Sequence, residues 1–414
     1  MSASTRLVTA LSIPLLAFGG QGCSDDRVPV EAPETDVPFG VRGSAAVGYR
    51  ELEIPSSDGE RAIRVASWYP ASDADGLEKA IDYQVTLQNP AIQVGSPSVV
   101  IRGRALIDAP VDATRGPYPL VVFSHGFSLN PEWYSRLLEN YASHGFIVLA
   151  PEHAEQDWLQ AAEAAFDRPL EIKRVLDLAE RLTGQGGQMA GQIDTESIAV
   201  VGHSYGGYTA LAMAGARFDL AAFQDRCASL PPEDPKGFVC APFLGKEAEM
   251  AARAGLEAVP EGLWPSLGDP RVSVIVPIAG DAYLFNQRGM ASVTSPVMAL
   301  GGTMDFGTPF EWGSQLAYEN AASEQKALVA FEGADHMIAM NPCEDMPWSS
   351  ELPGDVQGFL CNDPTWDRVR ALDLIEHFST AFLVDTLKGD ISGHRVLVPG
   401  AVRFPGIEYT TTLR

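Results

Sequence analysis

SIAVVGHSYGGYTA, residues Ser197 to Ala210, decides how this chain folds. Ile198–Val201 is a short apolar run with the character of a buried strand, and Tyr208–Ala214 reads as a helix. Between them, Gly202-His203-Ser204-Tyr205-Gly206 spells G-x-S-x-G. In that context the serine sits on a strained strand-to-helix turn with its hydroxyl pushed out at the sheet edge. The glycines are needed because side chains two positions away would strike the strand or the helix. The following helix N-terminus favours negative charge. The same motif also fits a plain glycine-rich turn carrying a surface serine, so the reading depends on partners elsewhere in the chain.

A serine nucleophile needs a base and an acid that orients the base. Each appears after an apolar strand, in the order Ser, Asp, His. Asp305 follows Val297–Leu300 in GGTMDFGTP, and His336 follows Ala327–Phe331 in EGADH. In a parallel sheet, residues beyond the C-terminal strand ends converge on one edge. Asp281, after the strand in Arg271–Ala279, is a rival for the acid. The oxyanion of an acyl-transfer intermediate needs two preset amides. Tyr205, directly after Ser204, supplies one. Phe127, in Ser124-His125-Gly126-Phe127 after the strand Tyr118–Ser124, supplies the other. Phe127 and Tyr205 would also wall the acyl site, with Trp133 and Met337 as further wall candidates.

Outward from this centre, apolar strands alternate with amphipathic helices. The expected fold is therefore α/β, a mostly parallel sheet flanked by helices. Val47–Tyr69 reads as a hairpin around Ser57-Asp58-Gly59. Glu155–Leu182 reads as a helix broken near Pro169. Two stretches interrupt the alternation, residues 217–269 and 337–363. They are expected to form a partial cap over the site, stapled by disulfides.

The 414 residues carry 29 basic and 54 acidic side chains, a net charge of −25. That balance excludes a nucleic-acid partner, which needs a basic footprint. At the N-terminus, Arg6 precedes the apolar run Leu7–Phe18, then small residues and Cys23. Residues 1–23 read as an export signal, too short for a membrane span. Cys23 after small residues resembles a bacterial lipoprotein signal, in which the cysteine is acylated. Residues 24–43 read as a flexible acidic tether. The expected location is outside the cytoplasm, lipid-anchored to the bacterial envelope, or otherwise periplasmic or secreted. The remaining cysteines number four. Their spacing favours Cys227–Cys240 and Cys343–Cys361, although four cysteines allow three connectivities. No C-x-x-C or histidine cluster accompanies them, so no metal is expected.

The residues quoted above, with WYPA at Trp68–Ala71, PLVVFSHGF at Pro119–Phe127 and ASHGFIVLAPEH at Ala142–His153, resemble the α/β-hydrolase superfamily. Within it, they are similar to dienelactone-hydrolase-like and platelet-activating-factor acetylhydrolase-like serine esterases. Asp281-Ala-Tyr-Leu-Phe resembles the acid-bearing segment of some acetylhydrolases. The resemblance covers roughly residues 45 to 386. It implies a hydrolase domain at 44–386 with an insertion at 217–269, and a C-terminal extension at 387–414. It implies hydrolysis of a small-molecule or lipid-like ester through an acyl-enzyme, with no cofactor. Three rival readings stay open: a polyester hydrolase or lipase, a peptidase of prolyl-oligopeptidase type, and a non-catalytic surface binding protein.

Overall fold

The structure, a computed structural model, describes residues 37–57, 60–72, 80–89, 92 and 94–414. The expected signal, Cys23, and residues 24–36 of the tether lie outside the described residues. Among the described residues, twelve strands run β1 Ala46–Ile54, β2 Ile63–Ala71, β3 Ala80–Thr86, β4 Ser98–Arg104, β5 Leu106–Ile107, β6 Tyr118–Ser124, β7 Ile147–Pro151, β8 Ile193–His203, β9 Val274–Ile278, β10 Val297–Gly302, β11 Lys326–Phe331 and β12 Ile407–Thr411. Ten of them form one sheet in the order β12-β11-β10-β9-β8-β6-β7-β2-β1-β5, and β3 pairs with β4 separately. The six strands from β7 across to β11 are mutually parallel. β1–β2, β2–β7 and β11–β12 are antiparallel. The expected hairpin is thus β1–β2, closed by a bridge between Ser57 and Glu60.

The central strands β6, β7, β9 and β10 are buried along their whole length because both sheet faces are covered. In β6, Leu120 and Val122 join one core, while Val121 and Phe123 join the other. The helices Ala161–Thr183 and Tyr205–Met213 cover the first face; Ser135–Ser143 and Arg368–Lys388 cover the second.

Three expectations are corrected here. The helix Ala161–Thr183 is not broken at Pro169. Proline cannot donate to the carbonyl four residues back, Ala165. Tyr208 Oη donates to that oxygen instead, at 2.6 Å. The C-terminal end of the tether, residues 37–43, is packed rather than free. Phe39 is buried against His144 and His377, and Arg42 pairs with the buried Glu139 at 2.8 Å. Finally, residues 387–414 hold β12, which closes the sheet beside β11.

Residues 217–269 hold three short helices, the first two of them joined by Cys227–Cys240. Residues 337–363 hold 3-10 turns and the helix Gly354–Cys361, joined by Cys343–Cys361. Both pairings are those favoured by the cysteine spacing. No described helix is long and apolar enough to cross a membrane.

Candidate active site

β8 ends at His203, and Ser204 follows with φ 58° and ψ −123°. A non-glycine residue there is strained, at a cost of about 1–3 kcal/mol, and persists only where its surroundings enforce it. Ser204 N donates to Ile278 O at 2.9 Å, which ties the turn to β9. A Cβ on Gly206 would lie 1.8 Å from Ser124 O, and one on Gly202 would lie 2.3 Å from Gly206 O. The helix start, β8 and β6 cross too closely there for any side chain.

Beyond β10 and β11 lie the other two residues. Ser204 Oγ is 2.9 Å from His336 Nε2, and His336 Nδ1 is 2.9 Å from both oxygens of Asp305. With Nδ1–H donating to the carboxylate, Nε2 is left to accept from the serine. Thr308 N donates to Asp305 Oδ1 at 2.7 Å and fixes its rotamer. His203 Nε2 donates to His336 O at 2.9 Å, and Tyr134 Oη donates to His203 Nδ1 at 2.8 Å. Asp335 Oδ1 accepts from His336 N at 2.7 Å. The imidazole is therefore held through its ring and its backbone. Burial opposes charging of His336, but the Asp305 charge and hydrogen bond outweigh it and raise its pKa.

Asp281 does not reach His336. It is buried and accepts from Thr308 Oγ1 at 2.6 Å. Burial pushes its carboxyl up to about 7. Thr308 thus links two carboxylates, one against the imidazole and one behind it.

Phe127 lies in the loop after β6, where Gly126 N donates to Tyr134 Oη at 3.2 Å. Among the described residues, neither the Phe127 nor the Tyr205 amide donates to a protein acceptor. Their rings pack edge to face at 5.4 Å. Trp158 stands over both, with ring centroids at 5.1 Å from Phe127 and 5.7 Å from Tyr205. From Trp158 the aromatic contacts run on to Phe238, Phe306 and Phe359, with centroids 6.4, 6.5 and 5.4 Å apart in turn. Phe238 belongs to the first insertion, Phe306 follows Asp305, and Phe359 belongs to the second insertion. Each of the last three is more than a third exposed. Both disulfide-stapled insertions therefore contribute to one apolar rim.

A chlorophyllase family model matches residues 82–224, which include Phe127 and Ser204 but end before Asp305 and His336. A chlorophyllase type 0 of Chenopodium album is 38% identical over 119 residues, 26% of this chain and 31% of that protein. A platelet-activating factor acetylhydrolase of Cavia porcellus is 28% identical over 139 residues, 23% of this chain and 31% of that protein. A solved ferulic acid esterase from Streptomyces cinnamoneus superposes with a TM-score of 0.56 and 20% identity, covering 92% of this chain and 98% of that one. The chain has the α/β-hydrolase fold. It spans about a third of the length of the curated relatives it matches.

Seen on the hydrolase fold, the two weaker wall candidates are core. Trp133 is 1% exposed and packs on Trp348, and Met337 is buried with the second core. Several residues at the site escape a reading of the sequence alone. Thr308, Tyr134 and Trp158 act through contacts with segments far away in the chain. Only Thr308 had a usable signal, a hydroxyl residue shortly after the acid.

Proposed function

We propose that the chain is a serine carboxylic-ester hydrolase working through an acyl-enzyme. One observation carries this reading: the unbroken line of hydrogen bonds from Ser204 Oγ through His336 to Asp305, beside two unengaged amides. Ser204 attacks the ester carbonyl as His336 Nε2 takes its proton. Asp305 stabilises the imidazolium that forms. The Phe127 and Tyr205 amides donate to the carbonyl oxygen as it becomes negative. His336 then protonates the departing alkoxide. Water, activated by the same imidazole, releases the acid and restores Ser204.

The exposed aromatic rim favours an apolar, lipid-like ester. Two of its rings sit on the insertions, which accords with a partial cap that sorts substrates. Ester-cleaving relatives named above support the reaction class. Fluorophosphonate labelling of the wild type, lost in Ser204→Ala, tests the nucleophile, and turnover of p-nitrophenyl esters from acetate upward tests the rim. Ser204→Ala is expected to lower turnover by about 10⁶-fold. A variant that keeps most of its activity refutes the assignment.

We also propose that the chain is exported and acylated at Cys23. Two disulfides support export, because such bonds persist in oxidising compartments. Metabolic palmitate labelling that survives Cys23→Ala would refute the anchor.

A further inference from the structure

Behind the loop of Phe127 lies a buried polar cluster that ester cleavage, as set out above, does not use. Its centre is Arg168, fully buried on the helix Ala161–Thr183. Nη1 donates to His125 O at 2.6 Å and to Ser124 Oγ at 3.4 Å. Nη2 donates to Gly126 O at 3.4 Å and to the Glu155 carboxylate. The guanidinium carbon lies 5.7 Å from the Phe127 ring centroid and 5.3 Å from that of Tyr205. One cation therefore touches the side chains of both residues that offer free amides. Burial lowers its pKa to about 10, which leaves it charged at neutral pH.

The rest of the cluster holds the same loop. His125 Nδ1 donates to Gly126 O at 2.7 Å, and His125 Nε2 accepts from His153 N at 3.0 Å, which sets the tautomer. His153 Nδ1 donates to Glu171 at 2.6 Å, and its Nε2 accepts from Ser124 Oγ at 2.9 Å. Ser124, His153 and Glu171 repeat the atom order of Ser204, His336 and Asp305. Ser124 is fully buried, so no ester reaches it. The second array is a brace.

The geometry of one peptide gives the brace its purpose. A trans peptide is planar, so its C=O and N–H point in opposite directions. Arg168 and His125 both grip the oxygen of the Gly126–Phe127 peptide. The Phe127 N–H is thereby aimed away from the buried cluster. We propose that Arg168 is a positioning residue: by holding the Gly126 carbonyl and backing the Phe127 and Tyr205 rings, it presets the amide that receives the oxyanion. This role rests on the ester-hydrolase reading of Ser204.

The test uses the full chain in two forms. Arg168→Lys keeps the charge but loses the fork. Arg168→Met combined with Glu155→Gln removes the pair together, which avoids a stranded buried charge. Turnover and KM are measured on p-nitrophenyl butyrate, with affinity for a trifluoromethyl ketone that adds to serine as an oxyanion mimic. The double variant is expected to lose about 10²–10³-fold in kcat, the loss typical of one oxyanion donor, with KM nearly unchanged. The ketone should weaken by the same factor, and Arg168→Lys should recover part of both. General loosening would not separate the ketone from the substrate in this way. If the double variant does not fold, Arg168→Lys decides on the same criteria. A folded variant with kcat and ketone affinity within about threefold of wild type overturns the role. A wild type that is neither labelled by fluorophosphonate nor active overturns the ester-hydrolase reading, and the role with it.

Discussion

Two buried carboxylates stand near His336, and replacing each by its amide separates their duties. Asp305 presents both oxygens to Nδ1 at 2.9 Å. In Asp305→Asn, the amide can donate to Nδ1, which moves the ring proton to Nε2. The face toward Ser204 then cannot accept. A tautomer fault of this kind costs about 10⁴-fold in kcat, or about 5.5 kcal/mol of barrier. Asp281→Asn keeps an oxygen to accept from the Thr308 hydroxyl, 2.6 Å away in the wild type, but removes the charge of that acceptor. One hydrogen bond to a charged group is worth about 1.5–3 kcal/mol to the fold, and only a fraction of that reaches the imidazole, so a loss of about tenfold or less is expected. The Asp281 effect should also depend on pH. Its carboxyl titrates near 7, so below that value the wild type already carries a neutral group there, and Asp281→Asn matters least. Above it, the wild type carries a charge that the variant lacks. The measurement is kcat on p-nitrophenyl butyrate from pH 5.5 to 9 for both variants. If Asp305→Asn stays within about tenfold of wild type while Asp281→Asn is crippled, the acid has been misplaced.

Asp305 raises the His336 pKa, and the base works only when neutral. Activity should therefore fall, as pH is lowered, through a midpoint above the ordinary histidine value of about 6.5; a limb in log kcat/KM at or below that value contradicts the coupling. The disulfides close loops with sequence separations of 13 and 18, and each should contribute about 3 kcal/mol by constraining the unfolded chain. Because Phe238 and Phe359 lie within two positions of Cys240 and Cys361, reduction should lower turnover of long-chain esters more than that of acetate. An unchanged ratio after reduction would show that the staples do not shape the rim.

The sequence was most readable where structure is local. Ser204, Asp305 and His336 each follow an apolar strand by a short turn, so their order and their common sheet edge could be read directly. The cysteine pairs were legible for the same reason, since each closes a short loop. What escaped notice depends on contacts across long stretches of chain. Pro169 looks like a helix break until Tyr208, on another helix, satisfies the Ala165 carbonyl. The tether looks free until Phe39 and Arg42 find Asn140 and Glu139. Asp281 and Asp305 both follow strands, and the difference between them is which one Thr308 holds against the imidazole. Arg168 looks like an ordinary helix arginine, because nothing local marks it as buried beneath the loop of Phe127.

β12 has a consequence for the order in which this protein is made. His336 stands on the turn that leaves β11, and β11 is flanked by β10 on one side and β12 on the other. β10 is synthesised before β11, but β12 comes after every other strand of the sheet. Until it emerges, the strand beneath His336 is a bare edge, with one row of N–H and C=O groups open to pairing by any passing chain. The nascent protein can complete its elbow, its acid and its base and still lack the cover for that edge. A chaperone, or fast docking of Ile407–Thr411, has most to protect in that interval.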